Sequence, residues 1–268
     1  MKIFASDYDG TFYKHGRRQR NEVRNNIRAV KRWRREGNIF VFATGRSINM
    51  MAFERHFRRI RYDYIVGLNG GIIVSKTGSI LYRNAIKPKV ARHVMEAILE
   101  SGIRHYSVTD GLAGHYEVPL QVNHKLLVFF KMLVMFGRSY RLTLEEALSR
   151  PVAQIAVKTN SHEEAIAFAE KINEAFQGEV TAFPNLEHVD ICAAGLSKAT
   201  GVEFIAELHQ VPHQQIYGMG DSFNDVPMFE NYHGITLPEA REEIKAKADM
   251  VFATVAMAIK SILAQPKT

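Results

Sequence analysis

A chain of 268 residues, 46% of them apolar, can bury a sizeable core in one large domain or two smaller ones. Its single cysteine, Cys192, excludes an intrachain disulfide, and we expect a cytoplasmic protein without a signal peptide, since a strand begins almost at once. No apolar run is long enough to span a bilayer, and the net charge of +7 raises the question of an anionic partner.

In chain order, residues 3–6 are a short apolar run of buried-strand size, stopping at Asp7-Tyr8-Asp9-Gly10-Thr11. Two carboxylates one residue apart at a strand end are costly unless a cation or a proton holds them together. Mg²⁺ takes carboxylate oxygens and keeps positions open for water or phosphate. Asp-Gly is also a turn signal in its own right. Residues 13–20 read as a polar loop and Asn21 as a helix N-cap. Val23, Ile27, Val30 and Trp33 then share one helical face, and Gly37 ends the helix. A strand over 38–43 leads into Thr44-Gly45-Arg46, followed by a helix over 47–57 and a strand over 65–68. This alternation predicts a parallel, doubly wound sheet.

The rhythm then changes. Residues 72–74 and 80–82 read as a hairpin, 87–101 as an amphipathic helix, and 104–108, 115–118 and 153–158 as strands. Ser161 with Glu164 is a capping-box pattern opening a helix to about Phe176; residues 180–183 and 188–192 are strands again. The apolar run 126–136, interrupted by Lys131, reads as a helix of this inserted part or of a binding face. His105, His115, His124 and His188 are too scattered for a zinc site. The parallel pattern returns with a helix through Val202, Ile205, Ala206 and His209, and with a strand over 216–220 ending in Asp221-Ser222-Phe223-Asn224-Asp225. Residues 234–237 and 250–253 would be the last strands. The fold class is thus α/β, a doubly wound sheet with an inserted α+β unit.

Two strands ending in acid clusters suggest one shared metal site. Asp7-x-Asp9-Gly10-Thr11, Thr44-Gly45-Arg46, the isolated Lys198 and Gly220-Asp221-Ser222-x-Asn224-Asp225 follow one another in an order that resembles the haloacid dehalogenase (HAD) phosphatase superfamily. The likeness is to its Cof-type branch, with a type IIB cap. It implies a HAD-like Rossmannoid core at 1–84 and 194–268 and a specificity-setting cap at 85–193. It also implies phosphoryl transfer through an aspartyl-phosphate. Asp7 would be the nucleophile and Asp9 the general acid and base. Mg²⁺ would be bound by Asp7, the Asp9 carbonyl, Asp221 and Ser222, with Asp225 orienting that shell. Tyr8, Thr44, Gly45, Lys198 and Asn224 would hold the phosphate, Lys198 also neutralising charge in transfer. Asp225 also has a second reading as a helix N-terminal acid, and Arg46 reads equally as a substrate contact or a surface ion pair.

The expected substrate is a small phosphorylated metabolite, sugar phosphates first. A hexose phosphomutase of the same superfamily is the alternative. Ten basic residues between Lys14 and Arg35, then Arg55, Arg58, Arg59 and Arg61, leave open a basic nucleic-acid-binding protein with a vestigial site. We read them as a solvated helix face and expect neither a nucleic-acid nor a membrane partner, and a monomer or homodimer. Two positions depart from the family pattern. Phe12 stands where leucine is usual, and Leu237-Pro238-Glu239-Ala240 replaces a turn near the last strands.

Overall fold

The computed structural model describes residues 1–14, 20–117 and 142–265. Strand β1 (Ile3–Ser6) is followed by α1 (Arg20–Arg35), β2 (Ile39–Ala43), α2 (Ile48–Arg58), β3 (Tyr64–Gly67) and the strands β4 (Ile72–Ser75) and β5 (Ile80–Arg83). Next come α3 (Pro88–Glu100), β6 (Tyr106–Thr109), β7 (Gly114–Glu117), α4 (Leu144–Leu148), β8 (Gln154–Lys158), α5 (His162–Ala175), β9 (Val180–Asn185) and β10 (His188–Ala193). The chain then runs through α6 (Lys198–His209), β11 (Ile216–Met219), α7 (Val226–Asn231), β12 (His233–Thr236), α8 (Glu242–Lys245), β13 (Met250–Val251) and α9 (Val255–Ala264).

These strands make two sheets. The larger has the order β13-β12-β11-β1-β2-β3-β4-β5, parallel from β13 to β3 and antiparallel at β4 and β5. The smaller, β7-β6-β8-β10-β9, is antiparallel throughout and comes from one insertion between β5 and α6. The predicted 72–82 hairpin therefore extends the large sheet.

Strand alternation sorts the core. Ile3, Ala5, Val41 and Ala43 pack toward Val202 and Ile205 of α6, with Met228 and Phe229 of α7. Phe4, Phe40 and Phe42 face the other way, toward Val30 and Trp33 of α1 and Ile259 of α9. Phe12 joins this second cluster, stacked on Tyr8 and edge-on to Phe42 at 4.9 Å. The aromatic ring in place of leucine thus packs among aromatic neighbours. A separate core under the small sheet joins Val94 and Ile98 of α3, Ala165 and Ile172 of α5, and Ile155, Val157 and Ile191.

Some sequence expectations need correction. Asn21 lies inside α1, which already includes Arg20, so it is not the N-cap. Ser161 does cap α5 through Glu164 N–H, but the Glu164 carboxylate accepts from Asn160 instead of closing the box on Ser161. Strand β6 begins at Tyr106 and β13 has only two residues. The run 126–136 lies outside the described residues. Among the described residues, no helix is long and apolar enough to cross a membrane.

Trp33 is the anchor between α1 and the sheet. It is fully buried, its indole N–H donates to the Ile39 carbonyl at 2.8 Å, and Phe4 and Tyr217 meet it edge-on. Trp33→Ala should cost about 3–5 kcal/mol, by loss of both apolar burial and a buried hydrogen bond. Urea unfolding followed by circular dichroism measures this, and a loss under about 1 kcal/mol would contradict the packing role.

Candidate active site

The carboxyl ends of the parallel strands are where an open α/β sheet binds ligands. Here β1 and β11 end side by side, with Ser6 paired to Met219, and Asp7 N–H donates to the Met219 carbonyl at 2.8 Å. This register brings the two acid clusters together although 214 residues separate Asp7 from Asp221. The carboxylates of Asp7, Asp221 and Asp225 have ligand atoms within 4.8 Å of one another, the one such acid, histidine or cysteine group found among the described residues.

Two glycines make that approach possible. Gly10 has φ +82, and a Cβ there would lie 2.5 Å from an Asp221 carboxylate oxygen. At Gly220 a Cβ would come within 2.1 Å of the Asp225 carboxyl carbon. Thr11 then donates its hydroxyl to Asp221 Oδ1 at 2.5 Å, tying the first strand end to the last.

Lys198 sits at the centre of this group. Ser197 caps α6 and places Lys198 in its first turn, pointing inward and 1% exposed. Its Nζ donates to Asp7 Oδ1 at 2.8 Å, Asp225 Oδ1 at 2.6 Å and Asn224 Oδ1 at 3.3 Å. Burial works against the ammonium, but Asp225 and Asp7 outweigh it and raise the Lys198 pKa. A buried lysine left without such partners would tend to neutralise instead. Burial pushes Asp7 well above the usual carboxylate range, with Lys198 opposing and Asp225, Asp221 and Asp9 adding to the rise. Asp221 is likewise pushed up to about 6, first by burial and then by Asp225, against the Thr11 hydroxyl and Lys198. One ammonium among these acids leaves an excess of negative charge, and the donors are hard oxygens. That combination fits Mg²⁺.

Asp225 serves two ends at once. Its Oδ2 accepts from the Asp221 and Ser222 amides, each at 3.0 Å, while Oδ1 holds Lys198. Both readings of Asp225 therefore describe the same side chain, a capping acid that also orients its neighbours. With both oxygens engaged it is a poorer metal donor than Asp7 or Asp221. Asn224 is 2% exposed, and its amide NH₂ donates to Asn69 Oδ1 at 3.2 Å while its oxygen accepts from Lys198. It faces this network on both sides.

Thr44 is buried at the end of β2, and its hydroxyl accepts from Arg46 N–H at 3.1 Å. The Tyr8 side chain lies in the aromatic core beside Phe12, Tyr13 and Phe42, so only its backbone faces the strand-end site. Arg46 is neither free nor a peripheral pair. Its guanidinium takes both oxygens of Asp9, at 2.5 and 2.6 Å, stacks 4.7 Å from the Tyr8 ring centroid, and reaches Glu54 at 3.2 Å.

Three residues here were not singled out in the sequence. Asn69, buried with φ +50, bridges Asn224 and Asp190. Asp190 comes from β10 of the small sheet and accepts from Asn69 at 2.9 Å; burial pushes its carboxyl up to about 6 against the Asn69 amide and Lys198. A Cβ on Gly45 would lie 2.7 Å from its Oδ2. An isolated acid in the apolar strand Val189-Asp190-Ile191 was the available signal. Glu54 was hidden among the basic residues of α2. The small sheet also covers the Asp221 loop. A cavity of about 200 Å³ lies between Gly10, Asp221 and Phe223 on one side and His162 and the 184–186 turn on the other. The His162 ring stacks on Phe223 at 6.2 Å.

Comparison with known proteins agrees with this architecture. The haloacid dehalogenase-like hydrolase family matches residues 4–258. Phosphatase YwpJ of Bacillus subtilis is 24% identical over 290 residues, covering 95% of each chain. Two solved structures share the fold. BT1666 of Bacteroides thetaiotaomicron, described among HAD phosphatases, has a TM-score of 0.75 at 22% identity, covering 98% of this chain and 94% of its own. BT4131, described as a HAD subclass IIB sugar phosphatase, has a TM-score of 0.77 at 20% identity, covering 98% and 99%. With the family pattern running from β1 into α9 and both sheets matched together, this chain belongs to the haloacid dehalogenase-like hydrolases.

Proposed function

We propose that the chain is a Mg²⁺-dependent phosphatase of small phosphorylated metabolites, sugar phosphates first, working through an aspartyl-phosphate. The observation that carries this is Lys198 buried between Asp7 and Asp225, whose carboxylates cluster with that of Asp221. Asp7 and Asp221, with the Asp9 carbonyl and Ser222, would hold the cation, which lets an anionic carboxylate approach an anionic phosphate. Residues 85–193 would be the cap that selects the leaving group, over a core of 1–84 and 194–268.

In this reading, an Asp7 carboxylate oxygen attacks phosphorus and the ester P–O bond breaks. Asp9 gives its proton to the departing alkoxide. It then takes a proton from the water that attacks the aspartyl-phosphate, releasing inorganic phosphate and restoring Asp7. Thr44, the Gly45 amide and the Tyr8 backbone would cradle the phosphate oxygens, and Lys198 would offset the charge collecting there. Asn224 supports Lys198 more directly than it supports phosphate, given its two partners. Arg46 would aim Asp9, releasing one carboxylate oxygen when the leaving group arrives.

Three outcomes are expected. A screen of phosphorylated metabolites, hexose phosphates included, should release inorganic phosphate with Mg²⁺ and none in excess chelator; undiminished turnover without metal, or isomeric phosphates in place of free phosphate, would contradict the proposal. Mg²⁺ competes with the proton that Asp221 carries below pH about 6. Its affinity should therefore rise by up to about tenfold per pH unit below that point, with a proton on Asp7, whose carboxyl is also pushed up, adding to the slope. Titration calorimetry on metal-free protein reads this, and equal affinity at pH 5 and 7 would rule it out. Asp9→Asn should slow hydrolysis of alkyl phosphates by about 10²–10⁴-fold while largely sparing release of p-nitrophenolate, which needs no proton. Equal losses for both leaving groups in the first step would remove Asp9 from proton transfer.

A further inference from the structure

A cavity of about 530 Å³ among the described residues lies away from the candidate active site. It lies at the opposite end of the large sheet, at the amino ends of β2 and β3. Arg34 lies in the last turn of α1, before β2, Arg59 and Arg61 precede β3, and Lys76 follows β4, which runs antiparallel to β3. Arg55 from the last turn of α2 completes the lining over the buried Tyr62.

The charge in this hollow is only partly compensated. Asp63 is the carboxylate that meets these cations. Arg34 takes both its oxygens, at 2.7 and 2.8 Å, and Lys76 stands 3.9 Å away. Glu54, the other acid of the segment, is occupied by Arg46 and Arg58. Arg55 donates to the Lys76 carbonyl at 2.7 Å and lies 5.3 Å from the Tyr62 ring centroid, contacts that fix its position and leave its charge intact. Arg59 and Arg61 have no ion pair among the described residues. The C-terminus of α2 accounts for cations in its last turn, such as Arg55. It does not account for Arg61 or Lys76, which come from other segments. Arg59, moreover, sits just beyond the helix with φ +55, a left-handed conformation that turns the chain into the hollow's wall.

We propose that this cavity is a second anion site, for a small polyphosphate: two or more linked phosphate groups, free or carried on a nucleotide. Three guanidiniums present planar forks that match phosphate oxygens in pairs. A concave wall of one sign focuses its field on a ligand inside it. One phosphate would leave most of this charge unmatched, whereas a linked chain of phosphates meets several forks at once. A hollow of about 530 Å³ confined to one end of the sheet favours a compact anion over a nucleic-acid backbone, which would need a continuous track.

The test is calorimetry of the full chain with tripolyphosphate and with ATP, in chelator so that binding at the catalytic end is weakened. Wild-type protein should bind one equivalent at this site, more weakly as salt rises. The Arg59→Ser/Arg61→Ser variant should lose about tenfold or more in affinity. Its turnover of p-nitrophenyl phosphate with Mg²⁺ should be unchanged, since neither residue touches the catalytic group. Lys76→Ala, from a different element, should weaken binding in the same direction, which guards against a local folding defect at the end of α2. Equal affinity for the two ligands would assign the site to polyphosphate itself, and tighter ATP binding would assign it to a nucleotide. Wild-type protein that binds neither ligand, or variants that bind both as wild type does, would overturn the proposal. So would tight, strongly salt-dependent binding of an RNA or DNA oligomer where tripolyphosphate fails.

Discussion

The interaction on which this structure depends is the buried ammonium of Lys198 between Asp7 and Asp225. Three acids from two strand ends cannot share one enclosed space without a counter-charge. Lys198 supplies part of it from a third element, the first turn of α6. Asp225 then passes the constraint on by fixing the Asp221 and Ser222 amides. Removing the lysine would leave the acids to take up protons or to splay apart. The remaining negative charge is what a cation would answer.

The sheet provides the rigidity for this. Asp7 and Asp9 extend from β1 at its centre, flanked by β11 and β2, with Trp33 and the phenylalanines packed beneath. Positions defined by buried strands vary little, and phosphoryl transfer is mainly a matter of positioning and electrostatic stabilisation. Further contacts lie where the small sheet meets the core: His162 on Phe223, Asp190 on Asn69, and the cavity between the 184–186 turn and the Asp221 loop. Lys14 pairs there with Glu239, so the unusual 237–240 loop is tied down beside that cavity by a residue from just after β1.

How much of this was legible in the sequence follows from the range of each interaction. Asp7 and Asp221 were legible because each stands at a strand end within a local acid pattern, whereas the isolated Lys198 was legible only through the order of motifs that the family resemblance supplied. The doubly wound core was legible from its alternation, and the antiparallel insertion from the break in that rhythm. Asn69, Asp190 and the Arg46–Asp9 fork were not, since each acts through a partner 37 or more residues away that no local pattern announces. Nor could composition separate the arginines. Arg58 is consumed by Glu54 and Arg34 by Asp63, while Arg59 and Arg61 in the same basic run are left without an ion pair among the described residues. Only the fold tells them apart.

The most direct test of the central claim is to catch the phosphate on the protein. Asp9→Asn enzyme should be mixed with p-nitrophenyl phosphate and Mg²⁺ and quenched within a turnover. Borohydride would then convert any aspartyl-phosphate to homoserine, and the peptide would be mapped by mass spectrometry. The account predicts homoserine at position 7 and none in an Asp7→Asn control. Homoserine at position 9 in the Asp7→Asn control, or no modified aspartate in the Asp9→Asn enzyme while free phosphate is still released, would contradict it.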